Sequence, residues 1–235
     1  MMLEIQGIDT YYGLSHVLHG VTMRVDEGEA IAFLGRNGAG KTTTLKSIMG
    51  LLKPRGGRVR FNGEDTTEMP VHEILRRGIG YIPEERRIFT NLTVDENLKM
   101  GRIVVDKGKN LRSFLDRMFS LFPRLEERRG FLGGSLSGGE QQMLTIARGL
   151  ETEPKLLLVD EPTEGLMPEL VERIRDSLEA IRQDGVAVVL VEQNTKLALG
   201  ITQRAYLIEK GQIRYEGKSE DLMEDKETRL KYLGV

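Results

Sequence analysis

Apolar and polar residues alternate at the start of the chain. Leu3 and Ile5 alternate with Glu4 and Gln6, and Val21, Met23 and Val25 alternate with Thr22, Arg24 and Asp26. A period of two predicts antiparallel strands with one wet face over residues 1–30. Ala30 to Leu34, AIAFL, is continuously apolar, the pattern of a strand covered on both faces. It runs into GRNGAGKTT and then a helical pattern, TLKSIMGLL. Pro70 at the first helical position and Gly78 just past the end predict a short helix over 70–77, with GIGYI as the next strand. Residues from about 90 to 150 carry no good strand pattern. Thr93 and Glu96 have the spacing of a capping box, and Leu111 to Phe122 reads as a helix stopped by Pro123. KLLLVD and GVAVVLVE are again continuous apolar runs, separated by a helix from Pro168 to Gln183. That β–α–β rhythm predicts a parallel sheet with right-handed crossovers. AYLIEKGQIRYEG reads as a hairpin turning at Lys210 and Gly211. With no linker, repeat or low-complexity stretch, the expectation is one α/β domain with a helical lobe.

Composition narrows the chemistry. Cysteine is absent, which removes disulfides, thiolate metal sites and cysteine nucleophiles. The longest apolar stretches, such as Val186 to Val191, fall far short of the roughly 18 residues of a membrane span. No signal peptide is visible in MMLEIQGIDTYYG, and a cytoplasmic setting fits. With 34 basic and 36 acidic side chains the formal net charge is −2, which argues against a general grip on nucleic acid. Between Lys99 and Arg129 the basic residues outnumber the acids by nine to four. This stretch reads as a helical insertion with a mildly basic face, although a solvated surface accounts for the charge equally well.

Glycine, at 27 residues, clusters where the chemistry is. Gly35, Arg36, Asn37, Gly38, Ala39, Gly40, Lys41 and Thr42 match G-x-x-x-x-G-K-[ST], with Thr43 following. Such a loop turns successive backbone N–H groups inward as a nest for anionic oxygens, and the next helix aims its positive end at the same point. Lys41 adds a full charge for the β- and γ-phosphates, and the Thr42 hydroxyl is a hard oxygen suited to Mg²⁺. Asp160 and Glu161 end a buried strand, the place where parallel sheets bind ligands. Asp160 is expected beside the loop, holding Mg²⁺ through water. Glu161, aimed differently by strand alternation, is expected to polarise a water for attack on the γ-phosphate. Ser137, Gly138, Gly139 and Glu140 precede a helix from about Gln141 to Leu150. Ser137 and Glu140 have capping-box spacing, and a helix cap and a second anion site are equally supported there.

In order along the chain, the phosphate loop 35–42, LSGGE (136–140) and LLVDEP (157–162) resemble the ATP-binding subunits of ABC transporters. YIPEERRIF (81–89), EPTEGL (161–166) and VEQN (191–194) further resemble the LivF-type subunit of branched-chain amino acid importers. The resemblance spans essentially the whole chain. It implies a P-loop NTPase fold: a RecA-like parallel core, an antiparallel β subdomain (roughly 1–30 and 56–66) and a helical subdomain (roughly 90–150). It implies ATP and Mg²⁺ as cofactors. It also implies a head-to-tail pair, with itself or a related subunit, that sandwiches ATP between one cradle and the other's Ser137 segment. Integral-membrane permease subunits, and indirectly an extracytoplasmic substrate-binding protein, are the implied partners at the cytoplasmic face of the inner membrane. Tyr12 matches the aromatic that stacks on adenine, with Tyr11 as competitor. Glu84 stands where a glutamine usually links the metal site to the membrane partner, Gln193 where a histidine usually senses the γ-phosphate, and Met167 where an aspartate is usual. The first two agree with the LivF-type pattern. Glutamine can donate to phosphate but carries no imidazolium charge, so two unequal ATP sites in a heteromeric pair are expected. Branched-chain amino acids are the implied cargo; urea or amides, or a nucleotide-gated clamp with weak hydrolysis, are the alternatives. No Asn-Lys-x-Asp motif of a GTPase is present, and a non-transport relative would carry two such domains.

Overall fold

The computed structural model describes residues 1–100 and 111–234. Part of the basic stretch read between Lys99 and Arg129 therefore lies outside the described residues. The chain opens with β1 (Leu3–Tyr12), β2 (Ser15–Val25), β3 (Ala30–Leu34) and α1 (Lys41–Ile48). Then come β4 (Gly56–Phe61), β5 (Glu64–Asp65), α2 (Val71–Arg76) and β6 (Ile79–Ile82). The helices α3 (Val94–Met100), α4 (Leu111–Leu121), α5 (Pro123–Glu127) and α6 (Gly138–Gly149) follow, with no strand among the described residues of that region. The rest is β7 (Leu156–Asp160), α7 (Pro168–Gln183), β8 (Ala187–Val191), α8 (Thr195–Ile201), β9 (Arg204–Glu209), β10 (Gln212–Lys218), α9 (Ser219–Glu224) and α10 (Lys226–Tyr232).

Two sheets form. One runs β2-β1-β4-β5 and is antiparallel; the other runs β10-β9-β3-β8-β7-β6 and is parallel except at the β10 edge. The continuous apolar runs have a direct explanation in this arrangement. On β3, Ala30, Ala32 and Leu34 enter one core, with the helices α3 to α8, while Ile31 and Phe33 enter a second core shared with α1 and the antiparallel sheet. Strands β7 and β8 divide in the same way, with Leu157 and Val159 against Leu156 and Leu158, and Val188 and Leu190 against Val189 and Val191. Every residue of β3, β7 and β8 is buried. Each buried Val, Leu, Ile or Phe among them contributes about 1.5–3 kcal/mol relative to exposure, so these three strands anchor the rim described below.

Several boundaries differ from the sequence expectation. Pro70 is the N-cap of α2, not its first residue; its ψ of 150° is extended, and its carbonyl accepts from the Glu73 and Ile74 amides. Helix α6 begins three residues earlier than expected, at Gly138. The Ser137 hydroxyl accepts from the Glu140 amide (3.4 Å) and the Glu140 carboxylate from the Ser137 amide (2.9 Å), so the capping box draws both glycines into the first turn. The β9–β10 hairpin turns at Lys210 and Gly211 as expected, with φ of 47° and 73°. Gly211 is held tightly: its amide donates to the Ala39 carbonyl (2.8 Å), its carbonyl accepts from the His19 amide (2.8 Å), and an added Cβ would strike the Val17 carbonyl.

Met167 is the N-cap of α7, makes no capping hydrogen bond and is 67% exposed. An aspartate there offers an acceptor and a negative charge to the positive helix end. Met167→Asp is expected to raise stability by about 1 kcal/mol, read as a higher urea midpoint.

Candidate functional site

The parallel strands β3, β6, β7 and β8 all end at one rim of the sheet. Their following loops therefore meet there, at residues 35–40, 83–84, 161–164 and 192–194. A cavity of about 320 Å³ opens on this rim. It is lined by Asn37, Gly38, Gly40, Lys41, Thr42, Thr43, Glu84, Glu161 and Gln193, all named from the sequence, together with Val17 and Glu164.

The loop after β3 builds the floor. Gly40 caps α1 with φ 115°, a conformation that favours glycine strongly. Lys41 is buried, yet its ammonium is fully used: it donates to the Gly35 carbonyl (2.9 Å) and the Arg36 carbonyl (3.3 Å) and lies 3.2 Å from a Glu161 carboxylate oxygen. The other Glu161 oxygen accepts from the Gln193 side-chain amide at 2.5 Å. Lys41, Glu161 and Gln193, distant in sequence, thus form one connected row.

Glu161 points into the cavity for a reason other than strand alternation. Strand β7 ends at Asp160, and Glu161 takes φ 45°, in the left-handed region that non-glycine residues rarely adopt. Its amide donates to the Val191 carbonyl (2.9 Å), which holds the turn. Strain of this kind concentrates at functional sites.

Asp160 lies just beneath. It accepts from the Thr42 hydroxyl (3.2 Å) and the Tyr81 hydroxyl (3.2 Å). Burial pushes its carboxyl up to about 6, against those two hydrogen bonds. Thr42 and Asp160 supply two adjacent hard oxygens, the donor set that Mg²⁺ takes when phosphate and water complete its shell. Among the described residues, no group of three or more His, Asp or Glu side chains is placed to hold a metal ion. Glu84 lines the same cavity, with its carboxyl raised by burial and then by the charges of Glu161 and Glu164.

Gly35, Arg36 and Ala39 of the loop and Asp160 at the end of β7 are not among the lining residues, and two further groups of expected residues stand apart from the cavity. Ser137, Gly138, Gly139 and Glu140 open α6, which packs against α3, α5 and β6. Tyr12 ends β1 and is 46% exposed. Its competitor Tyr11 is engaged within the protein: the His16 ring stacks on it at 4.1 Å and the Arg55 guanidinium covers it at 4.4 Å. Sequence reasoning missed Val17, Glu164, Tyr81 and the pair Thr163 and Glu192. Glu192 is buried, and burial raises its carboxyl while hydrogen bonds from Thr163 and the Asn194 amide lower it. Thr163, Glu164 and Glu192 lie in the loops that directly follow β7 and β8, whereas Tyr81 joins the site through its hydroxyl contact with the remote Asp160.

Comparison with known proteins follows the same lines. The ABC transporter family profile matches residues 18–164. The chain is 42% identical, over 99% of its length and 100% of the relative's, to the high-affinity branched-chain amino acid transport ATP-binding protein BraG of Pseudomonas aeruginosa. It is 36% identical to a probable branched-chain amino acid transport ATP-binding protein LivF of Archaeoglobus fulgidus, covering 100% of this chain and 99% of that one. It is 35% identical to the lipopolysaccharide export system ATP-binding protein LptB of Haemophilus influenzae, covering 99% and 97%. A nucleotide-free ATP-binding cassette from an ABC transporter superposes with a TM-score of 0.87 at 27% identity, over 99% of this chain and 97% of that one. A dimeric cassette in a post-hydrolysis state, bound to ADP and Pi, superposes with a TM-score of 0.84 at 26% identity, over 93% and 99%.

Proposed function

We propose that this chain, which belongs to the ABC transporter family as a nucleotide-binding, ATP-hydrolysing subunit, works as a dimer with membrane permease components and energises import of branched-chain amino acids. The observation that carries the cargo is the 42% identity to BraG over the full length of both chains, against 35% to LptB over the same span. Glu84 and Gln193 agree with the LivF-type pattern. The relationship to LptB sustains a second reading, the same work for a different cargo.

In the proposed mechanism the backbone amides of 37–43 and the Lys41 ammonium neutralise the β- and γ-phosphates. Tyr12, exposed at the end of β1, stacks on adenine, while Tyr11 is taken by His16 and Arg55. Thr42 and Asp160, joined by a 3.2 Å hydrogen bond, would hold Mg²⁺, with Glu84 of the same cavity lining as a further ligand, and the ion would supply charge neutralisation for the phosphate oxygens. Glu161 accepts the proton of the attacking water, and Gln193 donates to the γ-phosphate. The Ser137 segment completes the site across a head-to-tail dimer, where its helix N-terminus faces the γ-phosphate. The subunit acts peripherally at the cytoplasmic face of the inner membrane; among the described residues no helix is long and apolar enough to cross one.

Purification from detergent-solubilised membranes, identification of the co-purifying permease, and reconstituted uptake of leucine, isoleucine and valine test the cargo. ATP-driven uptake of urea or an amide instead, or co-purification with a lipopolysaccharide exporter, would replace it. Gln193→His is expected to raise turnover by about tenfold, the rate equivalent of a charged hydrogen bond gaining roughly 1.4 kcal/mol over a neutral one. An unchanged steady-state rate would mean that another group already supplies the contact.

A further inference from the structure

One buried carboxylate at the rim has no part in the mechanism above. Glu192 is 3% exposed and follows the last residue of β8. One of its oxygens accepts from both the amide (3.0 Å) and the hydroxyl (2.6 Å) of Thr163. The other accepts from the amides of Gln193 (3.1 Å) and Asn194 (3.3 Å). A carboxylate withdrawn from water is costly unless both oxygens are satisfied, and here each is satisfied by a different loop. Thr163 lies two residues beyond Glu161, in the loop after β7. Gln193 and Asn194 form the loop after β8, and Asn194 in turn caps α8 through the Leu197 amide (3.1 Å).

The Gln193 side chain then closes the circuit by donating to Glu161 at 2.5 Å. Glu161 has an unfavourable backbone conformation that its surroundings must enforce. The enforcing contacts are the Val191 carbonyl on one side and the Glu192–Thr163 pair on the other. We infer that Glu192 is a positioning residue that locks the loop bearing Glu161 to the loop bearing Gln193, fixing the distance between the water-activating carboxylate and the phosphate-sensing amide. The inference rests on reading Glu161 as the general base. It assigns Glu192 no contact with nucleotide, and its effect therefore falls on the chemical step and leaves ATP binding intact.

The test uses the full chain and magnesium ATP, with steady-state hydrolysis, calorimetric ATP affinity and melting curves measured together. Glu192→Gln keeps the shape but sets an NH₂ group against N–H donors of one loop. It should lower kcat by about 10- to 100-fold, the scale of small misplacements in an active site, while KM and Kd for ATP stay within about threefold of wild type. Thr163→Val removes one donor and should cost about fivefold in kcat, the worth of one net hydrogen bond; Thr163→Ser should recover most of that loss. On a Glu161→Gln background, Glu192→Gln should add no further loss. Wild-type kcat in both Glu192→Gln and Thr163→Val, with Glu161→Gln inactive, overturns the inference and leaves the base assignment standing. Equal losses in kcat and ATP affinity also overturn it, by making Glu192 a support of the fold alone. An active Glu161→Gln overturns the base assignment itself. Should Glu192→Gln fail to fold, the Thr163→Val and Thr163→Ser pair decides on its own.

Discussion

Turnover is expected to fall by about 10²–10⁴-fold when Glu161 is replaced by Gln, the loss that follows removal of a general base, while ATP remains bound. The geometry explains why binding survives. Glu161 sits 3.2 Å from the Lys41 ammonium, so its negative charge offsets part of the charge that attracts phosphate. Neutralising it leaves Lys41 more available to the nucleotide, and the closed dimer with ATP should persist longer. Glutamine also preserves the contact with Gln193, since an amide can accept as well as donate. The measurement is hydrolysis in the assembled transporter, paired with size-exclusion chromatography in ATP. A rate within about threefold of wild type would remove Glu161 from the role.

The second large effect belongs to Lys41→Ala. Lys41 is 4% exposed and is the buried cation at the cavity floor. Its removal strands Glu161 without its ion pair and, under the proposed mechanism, deletes the full positive charge nearest the phosphates. Truncating one member of a buried charged pair costs about 2–5 kcal/mol in binding, and ATP affinity should therefore drop by roughly 30- to 5,000-fold. Isothermal titration calorimetry measures this directly. Unchanged affinity would mean that phosphate is bound elsewhere, and the assignment of residues 35–42 would fall with it.

Much of the core and the rim is legible in the sequence because the signals are local. Strands β3, β7 and β8 announce themselves as unbroken apolar runs, and the structure buries both faces of each. The phosphate loop carries its glycines, lysine and threonine within eight positions. The capping box at Ser137 is a spacing rule that the geometry obeys, and only the glycines after it disguise how early α6 starts. What escapes the sequence is non-local or rests on backbone strain. Nothing in LLVDEP announces that Glu161 leaves the strand with φ 45°. Thr163 and Glu192 lie 29 residues apart and meet because β7 and β8 are adjacent in the sheet. The sequence prefers Tyr12 to Tyr11 by resemblance alone, and it gives no sign that His16 and Arg55 pack on the Tyr11 ring.

The tips of β-hairpins ordinarily tolerate insertions, tags and labels. The tip at Lys210 and Gly211 is an exception, because its main chain is stitched both to Ala39 of the phosphate loop and to His19 of β2. A peptide epitope or a fluorophore grafted there would tug on the nucleotide site, which makes this turn a poor handle for purification and a sensitive place to report on it.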